Sequence, residues 1–249
     1  MWDLNGKICL ITGSSMGLGK AYALAFSKAG ATVVVNDPDG GALARNAVEE
    51  IEQGGGKAFL AACDIAKPEQ VEKMVKEVLR RYNRLDILIN NAGISSDATT
   101  VNFDLEKWDN ILRINLNGAF YCSKYCLPSM IENKWGRIIN ISSVVGQIGV
   151  IGTPAYTASK AALIGFTKTL AKEVAKKGIT VNCLALGYFQ GGGLLNSVPS
   201  KMAEQIMDQI PIGRWGIPED VTGLLNYLVS DSAAYITGQT MHVNGGIYM

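Results

Sequence analysis

The chain has 249 residues, 48% of them apolar and 18% charged, with a net charge of +1 at pH 7. That is enough apolar material for a packed core and too much for a disordered chain, and the length suits one large α/β unit. No basic stripe points to a nucleic-acid partner, and no apolar run approaches the ~18 residues that span a bilayer.

The first seven residues lack the basic-then-apolar order of a signal peptide. Residues 7–12 then read as a strand and 17–29 as a helix. A strand over 32–36 precedes a helix near 41–53, and a strand over 57–62 precedes a helix over 68–82. Residues 85–90 form the next strand, followed by one long helix over 105–130, bent near Pro128. A strand over 137–142 leads to a helix over 155–177, with Thr153 as N-cap, Pro154 in the first turn and Gly178 at the exit. The strand over 179–185 is followed by a looser helix over 199–210, a helix over 218–230 and a last strand over 240–243. Gly54-Gly55-Gly56 and Gly191-Gly192-Gly193 are loop punctuation. Strand–helix alternation without linker or repeat predicts a single α/β domain over 1–249, a parallel sheet with helices on both faces. The five cysteines lack metal-ligand spacing, so no metal site is expected; they read as buried reduced thiols of a cytoplasmic protein.

The turn between the first strand and first helix, Thr12-Gly13-Ser14-Ser15-Met16-Gly17-Leu18-Gly19, has the context of a dinucleotide site. Gly13 permits a tight turn. Gly17 and Gly19 let backbone approach a pyrophosphate, and the helix N-terminus offers unpaired N–H groups to it. Asp37 ends the second strand, where a carboxylate can accept from adenosine ribose hydroxyls and repel a 2′-phosphate. Positions 16 and 38 are methionine and proline, which supply no cation, so NAD is favoured over NADP. The alternative is that Asp37 merely starts the turn through Pro38 and Asp39-Gly40.

Tyr156 and Lys160 stand four residues apart on one helix face. A free phenol titrates near 10 and is a poor base at neutral pH; bringing it to between about 7 and 8 takes roughly 3–4 kcal/mol. A neighbouring ammonium is expected to supply that. Ser143 ends the preceding strand, where its hydroxyl can meet a carbonyl or developing alkoxide.

Thr12 to Gly19, Asn90-Asn91-Ala92-Gly93, Asn115, Ser143, Tyr156 and Lys160 together resemble the motif set of the short-chain dehydrogenase/reductases across essentially the whole chain. The resemblance implies a doubly wound Rossmann-type fold with seven parallel strands and a homotetramer. It implies Tyr156 as general acid/base, and Lys160 holding the nicotinamide ribose and lowering the tyrosine pKa. Ser143 would orient the substrate oxygen and Asn115 would support a proton-relay water. Ser15, Met16 and Leu18 would line the turn against the cofactor, Asp64 and Ile65 would flank adenine, and Asn91, Ala92 and Gly93 would pack on the dinucleotide.

Residues 135–146, 210–214 and 242–246 look most like the 3-oxoacyl thioester reductases, whose acyl-carrier-protein members carry basic residues where Lys134 and Lys177 stand. Two features depart from that pattern. After the sixth strand the family usually has Pro-Gly and then a threonine; here the run is Leu186-Gly187-Tyr188-Phe189-Gln190-Gly191. Gly187 remains, and Phe189 stands where a backbone N–H usually meets the nicotinamide amide. Asp37 is the second departure, because biosynthetic members usually take NADPH.

The segments expected to border the substrate are 94–100, 144–153 with Gln147, and a lid over 189–210. Their only cation is Lys201, which favours a neutral ketone or alcohol head. Met202, Ile206, Met207 and Ile210 recur at helical spacing, facing either a pocket or the core. The expected activity is NAD(H)-dependent interconversion of a secondary alcohol and a ketone, foremost a 3-hydroxyacyl/3-oxoacyl thioester. A catabolic dehydrogenase of a small or cyclic alcohol is the alternative enzyme. A non-catalytic dinucleotide-binding subunit is the alternative of another class.

Overall fold

Short aliphatic and β-branched runs bounded by turn residues build seven strands: β1 (Ile8–Ile11), β2 (Thr32–Asp37), β3 (Lys57–Ala62), β4 (Ile87–Asn90), β5 (Gly136–Ser143), β6 (Ile179–Leu186) and β7 (Thr240–Val243). They pair in parallel in the order β3-β2-β1-β4-β5-β6-β7. Parallel neighbours cannot be joined by a tight turn, so every connection carries a helix. The helices are α1 (Gly17–Lys28), α2 (Ala42–Gln53), α3 (Pro68–Tyr82), α4 (Leu105–Leu112), α5 (Gly118–Glu132), α6 (Val145–Ile148), α7 (Pro154–Val174), α8 (Ser200–Met207) and α9 (Glu219–Val229). The structure, a computed structural model, describes residues 3–190 and 200–249. The 191–193 glycine run, and the part of the expected lid over 191–199, lie outside those residues.

Alternate residues of each strand face opposite sides, and each side has its own core. Cys9 and Ile11 of β1 pack with Tyr22 and Phe26 of α1, Ile51 of α2 and Leu225 of α9. Ile8 and Leu10 pack instead with Val71 and Val75 of α3, Cys122 and Cys126 of α5 and Leu170 of α7. Burial on both faces explains the near-continuous apolar composition of these strands. This is the doubly wound fold. Among the described residues no helix is long and apolar enough to cross a membrane, and all five cysteines are free and buried.

Three local expectations need correction. The long helix over 105–130 is two helices separated by a π turn at Arg113–Asn117, and α5 runs through Pro128. Apolar spacing continues across the π turn, so periodicity alone does not reveal it. Thr153 does not cap α7: its hydroxyl donates to the Val150 carbonyl at 3.0 Å and lies 3.1 Å from the Thr157 hydroxyl. Helix α7 ends at Val174 and its last turn tightens to a 3₁₀ form at Ala175–Lys177, before Gly178 leaves at φ +78°. The short helix α6 has no counterpart in the sequence reading.

The strand order reverses between β1 and β4, which lie side by side while their crossovers depart in opposite directions. Such a reversal opens a crevice above the C-terminal strand ends, the usual ligand position in open α/β sheets.

Candidate active site

A cleft of about 660 Å³ lies above that reversal, lined from both sheet halves. One wall is the glycine turn. Gly13 (φ +61°) and Gly17 (φ +55°) adopt left-handed backbone that only glycine takes without strain. A Cβ on Gly19 would collide with the Gly13 carbonyl and lie 2.6 Å from Asn91 Nδ2. The turn is tied down from below. Gly13 N donates to Asn36 Oδ1 at 3.3 Å, and the Ser14 hydroxyl donates to the Ile11 carbonyl at 2.7 Å.

Thr12 and Asn91 staple β1 to β4. The Thr12 hydroxyl accepts from the backbone of Asn91 and of Ala92, each at 3.0 Å. Asn91 Nδ2 donates back to the Thr12 and Gly13 carbonyls at 2.9 and 3.1 Å. Thr12 escaped the sequence reading as a site residue, although a hydroxyl at a strand end before glycines is a usable signal.

The far end of the cleft is lined by Asp37, Asp64 and Ile65. Burial alone would raise the Asp37 carboxyl, but hydrogen bonds from the Ser15 hydroxyl, Asp39 and Gly40 N–H hold it below the usual carboxylate range. Asp37 therefore does start the turn, accepting from Asp39 N at 3.2 Å and Gly40 N at 3.1 Å, while also facing the cleft. Arg45 is exposed and donates to the Gly40 carbonyl at 2.9 Å; it does not line the cleft. Ile65 is buried and packs on Gly118, where a Cβ would sit 2.7 Å from its Cδ1.

At the other end β5 delivers Ser143 and α7 delivers Tyr156 and Lys160, all three buried and all lining the cleft. The Ser143 hydroxyl hydrogen-bonds Tyr156 and accepts from Val145 N at 3.2 Å, so the start of α6 fixes its rotamer. Lys160 Nζ donates to the Ile141 carbonyl at 2.7 Å and lies 5.5 Å from the centre of the Tyr156 ring. The Ser142 hydroxyl donates to the Lys160 carbonyl at 2.7 Å, tying α7 to β5. Gly93 completes the corner: a Cβ there would lie 3.3 Å from Lys160 Nζ and 3.4 Å from Asn115 Oδ1.

Asn115 sits in the π turn. Its Oδ1 accepts from Ile94 N at 2.8 Å, and its Nδ2 donates to the Ile94 carbonyl at 2.9 Å and the Ser159 hydroxyl at 3.1 Å. Both amide protons are thereby committed, so of this side chain only the remaining lone pair of Oδ1 is left for a water. Ser159, which holds this side chain, was missed because its partner lies on another helix.

Burial dominates the electrostatics of this corner. Burial pushes the Tyr156 phenol up to about 12, against a smaller lowering from the Ser143 hydrogen bond. Burial likewise depresses the Lys160 ammonium to about 8. In the empty cleft the desolvation of the phenol outweighs the lowering by the Ser143 hydrogen bond. Among the described residues lining the cleft, Lys160 is the sole cation.

Of the other expected site residues, Ser15, Met16, Leu18, Ala92, Gly187 and Phe189 all line the cleft. Gly187 is also forced by packing, since its Cβ would meet Asn244 Cα at 2.7 Å. Phe189 pairs in a bridge with Gly216: Gly216 N donates to the Tyr188 carbonyl and Gln190 N to the Gly216 carbonyl, each at 2.9 Å. The bridge uses the neighbours' groups and leaves the Phe189 N–H without a partner among the described residues. It also stiffens a loop that has Leu186 in place of a proline. The threonine's usual position, Gly191, lies outside the described residues. Gln147, on α6, is half-buried and does not line the cleft. Neither do Lys201, Ile206, Met207 and Ile210; Ile210 is buried and lines a neighbouring cavity of about 300 Å³.

A glycine turn, a cleft-facing carboxylate and a Ser–Tyr–Lys corner in one cleft invite comparison with known proteins. A family model described as enoyl-(acyl carrier protein) reductase matches residues 13–248. A 3-oxoacyl-[acyl-carrier-protein] reductase of Synechocystis sp. is 42% identical over 250 residues, covering all of both chains. The chain belongs to the short-chain dehydrogenase/reductase family. The 3-oxoacyl-[acyl-carrier-protein] reductase of Thermotoga maritima is 41% identical over 244 residues, 98% of each chain. Among solved short-chain dehydrogenase/reductases, a proposed NAD(P)-dependent gluconate 5-dehydrogenase from Beutenbergia cavernae, with NADP bound at low occupancy, superposes with a TM-score of 0.92. It is 35% identical and the match covers 98% of each chain. Membership makes this chain an oxidoreductase of the nicotinamide-dinucleotide type. The cleft fits that group: glycine backbone at Gly13, Gly17, Gly19 and Gly93 lines it, and its lining reaches from Asp37 at one end to Tyr156 at the other.

Proposed function

We propose that this short-chain dehydrogenase/reductase interconverts a 3-hydroxyacyl and a 3-oxoacyl thioester, using NAD(H). The observation that carries the reaction class is the convergence of Ser143, Tyr156 and Lys160 on the glycine-lined cleft. Full-length identity of 40–42% to 3-oxoacyl-[acyl-carrier-protein] reductases supports the thioester. Asp37, and the lack of a cation beside it, supports NAD: a 2′-phosphate would bring its charge against a carboxylate already held ionised. The same reading carries a cytoplasmic homotetramer, whose size light scattering checks.

The bound nicotinamide supplies or takes the hydride. The N-terminus of α1 and the N–H groups of the glycine turn hold the pyrophosphate, and Asp37 accepts from the adenosine ribose. Lys160 Nζ, anchored on the Ile141 carbonyl, reaches the nicotinamide ribose and keeps positive charge beside the phenol. The Ser143 hydroxyl donates to the substrate oxygen. In reduction, the Tyr156 hydroxyl gives its proton to that oxygen; in oxidation, the phenolate takes it back. The burial that raises the phenol toward 12 keeps it protonated in the empty cleft. It becomes a base only as cationic charge gathers next to it.

Initial rates with acetoacetyl-CoA test the proposal. NADH-dependent reduction is expected, with weaker use of NADPH. Tyr156→Phe should lower kcat by about 10²–10⁴ while NADH still binds. Oxidation of a cyclic alcohol with no reduction of acetoacetyl thioesters would overturn the substrate assignment.

A further inference from the structure

Beside the Ser–Tyr–Lys corner stands a second phenol that the reaction above does not use. Tyr188 follows Gly187 at the end of β6, is half-buried and lines the same cleft. Its ring packs against the cluster formed by Val144, Val145 and Tyr156, and it is close enough to Tyr156 for the two phenols to interact electrostatically. Its position is rigid. The carbonyl accepts from Gly216 N at 2.9 Å, and the ring stands edge-on to Trp215 with centroids 6.1 Å apart.

The other hydroxyls lining the cleft are occupied or hidden. Ser15 bonds Asp37, Ser142 donates to Lys160 and Ser143 bonds Tyr156. The Ser95 hydroxyl is shut off from solvent. The Tyr188 hydroxyl has no hydrogen-bond partner among the described residues and is not shut off. It is therefore an accessible, uncommitted donor placed next to the group that handles the substrate's reacting oxygen.

We infer that Tyr188 is a specificity-determining residue that donates a hydrogen bond to a second carbonyl of the substrate, the one two carbons from the reacting ketone. A 3-oxoacyl thioester carries that second acceptor; a simple ketone does not. Ser143 and Tyr156 hold one oxygen, and Tyr188, across the same packed cluster, holds the other. With both oxygens fixed, the chain beyond the thioester leaves the cleft in one direction, and the carbonyl presents one face. This rests on the thioester reading above and sharpens it: a polar group at the second oxygen, rather than chain length, selects the substrate.

The test is Tyr188→Phe, which keeps the ring, its packing and the edge contact with Trp215. Two probes are compared with NADH: the acetoacetyl thioester of N-acetylcysteamine, and the matching ketone whose thioester carbonyl is replaced by CH₂. The variant should raise KM for the thioester by about five- to tenfold, the loss of one neutral hydrogen bond, with kcat little changed. KM for the thioether ketone should not move, and neither should NADH affinity. Equal effects on both probes, or none on either, would overturn the assignment while leaving the thioester activity standing. Failure of the unsubstituted chain to reduce the thioester at all would sink both readings.

Discussion

Lys160 should cost this protein stability, and removing its charge should recover some of it. The ammonium is buried, bonds one carbonyl and has no carboxylate partner among the described residues. Burial takes its pKa from the ordinary 10.5 to about 8. That fall corresponds to about 3 kcal/mol of penalty on the charged form at pH 7. Lys160→Met keeps the apolar stem and removes the charge, but leaves the Ile141 carbonyl without its donor, a loss of about 1 kcal/mol. The expected net gain is about 2 kcal/mol, or roughly 4–8 °C in Tm for a chain of this size. The sign of the pH dependence is fixed. Below pH 8 both folded and unfolded chains carry the proton and the whole penalty applies. Between pH 8 and 10.5 the unfolded chain binds more protons than the folded one, so the unsubstituted protein gains stability and the difference closes. Thermal melts of both proteins without cofactor, from pH 6.5 to 10, measure this as the difference between them, because from about pH 9 the buried cysteines, and above pH 10 the buried tyrosines, act with the opposite sign in both. A variant that melts lower than its parent, or a difference constant with pH, would refute the reasoning. Activity should meanwhile be lost, the trade expected where a functional charge is held in a dry site.

Asp37→Ala should weaken NADH binding by about tenfold and relax discrimination against NADPH, read from KM for both cofactors. Gly93→Ala places a methyl 3.3 Å from Lys160 Nζ and 3.4 Å from Asn115 Oδ1, so kcat/KM should fall by at least tenfold with only a small change in Tm. In the complete enzyme, alcohol oxidation should rise with pH and ketone reduction should fall, because one needs the phenolate and the other the phenol; pH profiles of kcat in both directions measure this, and parallel profiles would count against Tyr156 as the group that titrates. Gly178→Ala, at φ +78° and with its Cβ forced onto the Lys134 carbonyl, should lower stability by about 1–3 kcal/mol without changing the kinetics.

Elements with strong local punctuation were legible from sequence. Helix α3 starts at Pro68 and strand β3 follows three glycines, and both keep the expected bounds, as does β7. The π turn between α4 and α5 was not legible, because what holds it is tertiary: the Asn115 side chain reaches Ile94 and Ser159. In the site, residues set by spacing along one element, such as Tyr156 and Lys160, could be read directly. Thr12, Ser159 and Tyr188 could not, since each takes its role from a partner distant in sequence. The burial of Tyr156 was not legible for a related reason. Spacing reveals a cation on the same helix face, but depth of burial depends on everything packed around it.

The staple between Thr12 and Asn91 has a wider consequence. Beyond the last paired residues of β1 and β4, two side chains hold the strand ends together along the seam where the dinucleotide is to lie. Segments farther out, such as 94–100 and the loop after Tyr188, take no part in that seam. Substrate preference is therefore free to drift by rewriting those outer segments, while the machinery for the coenzyme stays anchored by the Thr12 hydroxyl and the Asn91 amide.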